Sequence, residues 1–221
     1  MHSVQVSWAR SADAHEGLLE TLAPVERARY AATVDPAARN RFLVGCALSR
    51  RLLGELLGVP PGDVPLRRVC PTCGGPHGKP RLAVSAGYDF SVTHSGDVVG
   101  VAVCRGAEVG LDVEEAHTAL DVDAAARTAL SARESAALYS LPPVERKPAF
   151  LRIWTRKEAV LKALGVGLGA PLRELEVSEP GAAPAVLAWP DLLADHPRAT
   201  LMDLTVDGIH PAAVAVTPAG A

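Results

Sequence analysis

Hydrophobic and polar residues alternate along VQVSW (Val4 to Trp8), the period of a half-buried strand. From Pro36 to Gly58, PAARNRFLVGCALSRRLLGELLG spaces its leucines as one helix face does, with Asp35 as N-cap, Pro36 in the first turn and Gly58 as the stop. Pro60 and Pro61 reinforce that stop. Further on, YDFSVTHSGD predicts a strand entering a turn, and VVGVAVC followed by VGLDVEE predicts a β-hairpin closed around Arg105 and Gly106. A second helical block comes next: Ser131 and Glu134 of SARE form a capping box for a short helix, and PPVERKPAFLRIWTRKEAVLKALG makes a longer one ended by Gly165. Beyond it, LRELEVS, AVLAW, ATLMDLTV and AAVAVT return to strand-like alternation. Each half thus runs strand, helices, strands. This α+β order suggests two similar subdomains, residues 1–96 and 97–221, with the seam at the turn around Gly96 and Asp97, although no residue-level repeat is visible.

With 221 residues, 48% of them hydrophobic, the chain can bury a substantial core. Its longest apolar run, Val98 to Cys104, falls far short of the roughly 20 residues that span a bilayer. The start MHSVQVSWARSADAHE has no basic stretch followed by an apolar one, so a cytoplasmic protein is expected. Four cysteines in a chain of this length indicate reduced thiols, not a disulfide framework. In CPTCGGPHGKP, Cys70, Cys73 and His77 offer three zinc ligands, but a fourth at a familiar spacing is missing. Gly74, Gly75 and Pro76 break the helix a redox CxxC would need, which leaves a loop leading to Lys79 as the simpler reading. The net charge of −3 conceals six arginines in the first quarter (Arg27, Arg29, Arg39, Arg41, Arg50, Arg51), which could meet a phosphate or form a solvated helix face. Basic residues without interleaved aromatics, in a net acidic chain with 4% aromatics, argue against nucleic acid.

Candidate chemistry gathers in four segments. In GLDVEE, alternation puts Val109, Leu111 and Val113 on one face and Asp112 and Glu114 on the other, about 7 Å apart along the strand. Two such carboxylates can hold a hard divalent cation or simply face water. In FLRIWTRKEAVLKALG, Phe150, Ile153, Trp154, Val160, Leu161 and Leu164 share one helical stripe with Lys157 in its middle, and Glu158 and Lys162 lie one turn apart on its flank. A lysine in such a stripe must reach water, a counter-charge or a ligand. His94, just beyond Thr93 at the end of a strand, projects toward a cleft or is a structural turn residue, and Lys79 sits in a loop shaped by Gly78 and Pro80.

Taken together, GKP, FSVTHSG, GLDVE and WTRKEAVLKALGVGL, in this order and at these separations, resemble the 4′-phosphopantetheinyl transferases of the Sfp type. The motifs run from about Gly78 to Leu168, and the flanking helix and strands extend the likeness over nearly the whole chain. The resemblance implies a pseudo-dimer of two α+β halves. It implies transfer of the phosphopantetheine arm of coenzyme A to a serine of an apo acyl or peptidyl carrier protein, releasing adenosine 3′,5′-bisphosphate, with Mg²⁺ between the halves. Carried over, it makes Asp112, Glu114 and Glu158 the metal carboxylates, and Lys157, His94, Thr93 and Lys79 phosphate contacts. Arg41 becomes a contact to the nucleotide end of coenzyme A, and Glu134 a supporting acid. Glu158 would take the serine proton, directly or through a water, and Lys162 would stabilise the leaving phosphate oxygen. Cys46 stands where a basic residue is expected, for which Arg39 or Arg27 would substitute, and Asp89 and Ser91 receive no role. Two halves in one chain make a monomer the expectation, and the carrier's pathway, whether fatty acid, polyketide or nonribosomal peptide, is not legible. The competing readings are a zinc-loop binding module and another Mg²⁺-dependent phosphate enzyme such as a hydrolase; no Walker or kinase motif supports an NTPase.

Overall fold

The computed structural model describes residues 3–69, 74–75, 78–193 and 198–219. Its elements in chain order are β1 (Val4–Arg10), α1 (Pro24–Ala32), α2 (Pro36–Leu57), β2 (Leu66–Arg68), β3 (Pro80–Leu82), β4 (Tyr88–Ser95), β5 (Val98–Arg105) and β6 (Ala107–Val113). There follow α3 (Val122–Ala129), α4 (Ala132–Ser140), α5 (Pro143–Leu164), β7 (Glu176–Val177), β8 (Val186–Ala188), β9 (Thr200–Val206) and β10 (His210–Pro218). The architecture is α+β. Two antiparallel three-stranded sheets, ordered β1-β5-β4 and β6-β10-β9, each place the half's first strand beside its last hairpin. Apolar residues of both sheets, among them Val6, Trp8, Ala102, Val109, Leu111 and Val214, close on one another in a shared core. On its other face the first sheet buries α2 through Leu52, Leu53, Phe90 and Val101, and the second buries α5 through Val160, Leu161, Ala213 and Ala215.

Two features differ from the expectation. β5 pairs with β1 and β4, not with β6, so Gly96 and Asp97 form the tight turn of the β4–β5 hairpin instead of a seam. The chain passes between sheets at Gly106, whose φ of +73° suits glycine. Alternation fixes which face a residue occupies but not which strand lies beside it. LRELEVS and AVLAW also shrink to the short pair β7 and β8.

The halves repeat at residue level. α1 and α4 both have nine residues, and the third of each is a glutamate that caps its own helix: Glu26 accepts from Ala23 N and Glu134 from Ser131 N. α2 and α5 both have 22 residues, begin with proline and end on a left-handed glycine, Gly58 and Gly165. The fifteenth residue of each is a buried cation paired with that glutamate, Arg50 with Glu26 at 2.6 Å and Lys157 with Glu134 at 2.5 Å. The repeat is one of roles, with arginine in one half and lysine in the other. It was therefore invisible to a search for identical residues.

Gly110 sets how closely α5 lies on β6. A Cβ there would stand 1.9 Å from Ala159 O and 2.4 Å from Ala163 N, both backbone atoms that cannot rotate away. Gly110→Ala is therefore expected to cost about 3 kcal/mol or more, at the upper end for overpacking, read as the shift in the denaturation midpoint. Among the described residues no helix is long and apolar enough to cross a membrane.

Candidate functional site

β4 and β6 are edge strands of different sheets, and side chains join them. On alternate residues of β4, Asp89, Ser91, Thr93 and Ser95 accept hydrogen bonds from the N–H groups of Val109, Leu111, Val113 and Glu115, at 2.8, 3.0, 3.3 and 3.0 Å and a constant offset of 20 residues. The period of two supplies one acceptor for each outward-facing N–H of β6, satisfying an edge that would otherwise be unpaired. Asp89 and Ser91, without a role from sequence, are rungs of this ladder.

Its far end is the site. Thr93 donates to Asp112 Oδ1 at 3.2 Å, and Lys162 Nζ lies 2.6 Å from the same oxygen and 3.2 Å from Thr93 Oγ1. Ser95 donates to Glu114 Oε2 at 2.7 Å, and Trp154 Nε1 donates to Glu114 Oε1 at 3.0 Å. Glu158, one helical turn before Lys162, completes the group. Asp112 is 4% exposed, so the solvated-face reading fails for it. Two buried oxygens, Asp112 Oδ2 and Glu158 Oε1, have no hydrogen-bond partner. Buried polar atoms are rarely left so; Arg39 Nε and Thr217 Oγ1 are the other two among the described residues, but only at Asp112 and Glu158 do two open carboxylate acceptors belong to one cluster.

Electrostatics agree. Burial, then the charges of Asp112 and Glu114 working against Lys162, pushes the Glu158 carboxyl up to about 7. Burial also raises Asp112 and Glu114, against the stabilising bonds from Lys162 and Thr93 in the first case and Ser95 in the second. A carboxyl raised on folding holds its proton more tightly in the native state, so stability falls as pH climbs from 4.5 through about 7. In metal-free protein the melting temperature should drop between about pH 5 and about pH 8, and Glu158→Gln should flatten that drop.

Among the described residues no group of three or more His, Cys, Asp or Glu side chains stands ready to hold a metal ion. Asp112 Oδ1 is occupied by Lys162, and Glu114 is turned to Ser95 and Trp154. What fits a hard cation is the pair of orphaned oxygens, with Glu114 beside them retaining lone pairs on both of its own.

Other candidates are dispersed. Thr93 joins the acids, while His94, next along the strand, points to the opposite face. It keeps an exposed edge, and crowding by protein, with Arg41 and Lys162 nearby, holds its pKa below the usual value. Arg41 donates to Gly96 O at 3.2 Å, at the hairpin turn beside His94. Lys157 is not in the cleft: its fully buried ammonium is used by Glu134, Ala129 O at 2.7 Å and Leu172 O at 2.9 Å. Lys79 is likewise a tie, reaching Asp89 at 2.5 Å, Val109 O at 2.9 Å and Ala163 O at 3.1 Å, two rungs or about 13 Å along the strand from Thr93. Both stand where an unpaired ammonium would be costly, and backbone carbonyls with one acid satisfy it. Burial drives the Cys46 thiol up to about 12, and it packs with Leu22 and Leu43 in the core. Arg27 is held by the carbonyls of Leu19 and Leu22, and Arg39 stacks on Tyr30. The Cys70, Cys73 and His77 loop lies outside the described residues. At the α2 positions matching Glu158 and Lys162 stand Arg51 and Glu55, both exposed, so the duplicated scaffold carries this cluster in one half.

Sequence reasoning missed Ser95 and Trp154. Ser95 continues the polar alternation of Asp89, Ser91 and Thr93, whereas Trp154 belongs to an apolar helical stripe, and nothing in such a stripe reveals where an indole N–H ends.

The profile of the ACPS 4′-phosphopantetheinyl transferase superfamily matches residues 108–213, the segment holding Asp112, Glu114, Glu158 and Lys162. The chain is 34% identical over 208 residues to the 4′-phosphopantetheinyl transferase HetI of Nostoc sp., covering 93% of this chain and 82% of that one. It is 32% identical over 154 residues to the 4′-phosphopantetheinyl transferase psf-1 of Bacillus pumilus, covering 69% and 61%. Over 91 residues it is 35% identical to the 4′-phosphopantetheinyl transferase AcpT of Salmonella typhimurium, covering 41% and 47%. Half of the chain aligns with 62% of the holo-[acyl-carrier-protein] synthase structure of Thermotoga maritima, at a TM-score of 0.41 and 24% identity. The chain belongs to the 4′-phosphopantetheinyl transferase family.

Proposed function

We propose that the cleft between β4, β6 and α5 moves the 4′-phosphopantetheine arm of coenzyme A to a serine of an apo acyl or peptidyl carrier protein, as an Sfp-type member, and releases adenosine 3′,5′-bisphosphate. The observation that carries this reading is the pair of orphaned carboxylate oxygens on Asp112 and Glu158, beside the Lys162 ammonium, in a member of this family. Asp112 and Glu158 would hold Mg²⁺ through those oxygens, and Glu114 would join them through the lone pairs left beside its bonds to Ser95 and Trp154. Such an ion would supply positive charge to the diphosphate.

The chain's own residues do the rest. Lys162 carries a charge that the diphosphate can share with Asp112, and it stabilises the leaving phosphate oxygen. Glu158 takes the serine proton directly or through a water. An arriving diphosphate draws a proton onto His94 and turns it into a donor. Arg41, anchored at the hairpin turn, meets the nucleotide end. Lys79 and Lys157 serve by holding sheet and helix in place, and Thr93 holds Asp112.

The test is incubation with coenzyme A, Mg²⁺ and an apo carrier protein, followed by mass spectrometry of the carrier. Addition of one phosphopantetheine arm, abolished by chelator, is expected. Cleavage of coenzyme A with no adduct on the carrier would make the protein a hydrolase and end this reading.

A further inference from the structure

The last rung of the ladder differs from the second in what else it touches. Ser91 and Ser95 both accept from a β6-side N–H, at 3.0 Å each, but Ser95 also donates to Glu114 Oε2 at 2.7 Å. Because the Glu115 N–H occupies one lone pair of the hydroxyl, the remaining directions are fixed and the hydrogen is turned toward the carboxylate. From the opposite side Trp154 of α5 donates to Oε1 at 3.0 Å, and the Glu114 backbone N–H is tied to Pro211 O at 2.9 Å. Glu114 stands just past the end of β6, where the strand no longer constrains it, so its aim depends on these bonds.

We propose that Ser95 is a positioning residue for Glu114. It makes the seam between the two sheets part of the metal site, because one hydroxyl both closes the ladder and sets the carboxylate plane. This rests on the reading that Glu114 belongs to the metal set. Hydrogen-bonded partners of metal carboxylates typically change metal affinity about 10- to 100-fold when removed.

The experiment uses Mn²⁺ as the probe, its binding to the full chain followed by calorimetry or electron paramagnetic resonance, alongside steady-state transfer at varied Mg²⁺. Ser95→Ala should weaken Mn²⁺ about tenfold and raise the Mg²⁺ concentration for half-maximal rate, with a much smaller fall in kcat at saturating Mg²⁺. Ser95→Thr keeps the hydroxyl and should restore binding. Ser91→Ala removes a rung that touches no carboxylate, and should lower the melting temperature while Mn²⁺ affinity holds. The proposal is overturned if Ser95→Ala binds Mn²⁺ like the parent, or if Ser91→Ala weakens Mn²⁺ as much, which would make both serines merely structural. A parent protein that transfers the arm yet binds no Mn²⁺ would remove the proposal while leaving the transferase reading standing; one that does neither would remove both.

Discussion

Asp112→Asn is expected to lower transfer by about 10²- to 10³-fold at saturating coenzyme A and Mg²⁺, the cost typical of removing one preorganised electrostatic group from a closed site. The substitution keeps the shape of the side chain and an acceptor for Thr93, so the ladder survives. It removes the negative charge that holds Lys162 at 2.6 Å, and it can put an NH₂ group where the orphaned Oδ2 now stands. A cation would then meet a donor instead of a lone pair. Since burial already raises the Asp112 pKa, the neutral amide should not unfold the metal-free protein, and its melting temperature should hold or rise. Single-turnover transfer measured beside a thermal melt separates the two effects. Near-parental activity would remove Asp112 from the chemistry.

The second large effect concerns stability. Lys157→Met should cost about 3–5 kcal/mol, because it leaves the Glu134 carboxylate, 3% exposed, without its counter-charge. For a chain of this size that is on the order of 10 °C in melting temperature. A second change, Glu134→Gln, should recover part of the loss by removing the stranded charge, although Glu134 also accepts from Ser131 N and Val177 N and those bonds would weaken. If Lys157 instead bound phosphate, the single variant would fold normally and show a raised KM for coenzyme A. The matched pair Arg50 and Glu26 in the other half, at the same helical positions, supports the structural role.

That pair also shows what a linear reading could and could not see. The ends of α2 and α5 were legible because caps are local: Asp35 accepts from Ala38 N, and Gly58 and Gly165 adopt the left-handed turn. The Asp112 face was legible from the period of two, and the placing of Glu158 and Lys162 on one flank from the helical turn, although Lys162 pairs with Asp112 and not with Glu158. Partnership between distant elements was not. Nothing in KEAVLK says that Lys157 finds Glu134 while Lys162 finds Asp112, since both lysines sit on one helix and only the packing of α4 and β6 against it separates them. The same limit explains the misplaced hairpin, and the polar residues of β4 that form a ladder to a strand of the other sheet.

The central claim is that acids from β6 and α5 share one divalent ion that also grips the coenzyme. Crystals grown with Mn²⁺ and coenzyme A, with data collected at a wavelength where manganese scatters anomalously, test it most directly. One strong anomalous peak is expected, bonded to the carboxylates of Asp112 and Glu158 and to the diphosphate. Manganese bound away from those two side chains, or a diphosphate lying elsewhere on the protein, would contradict it.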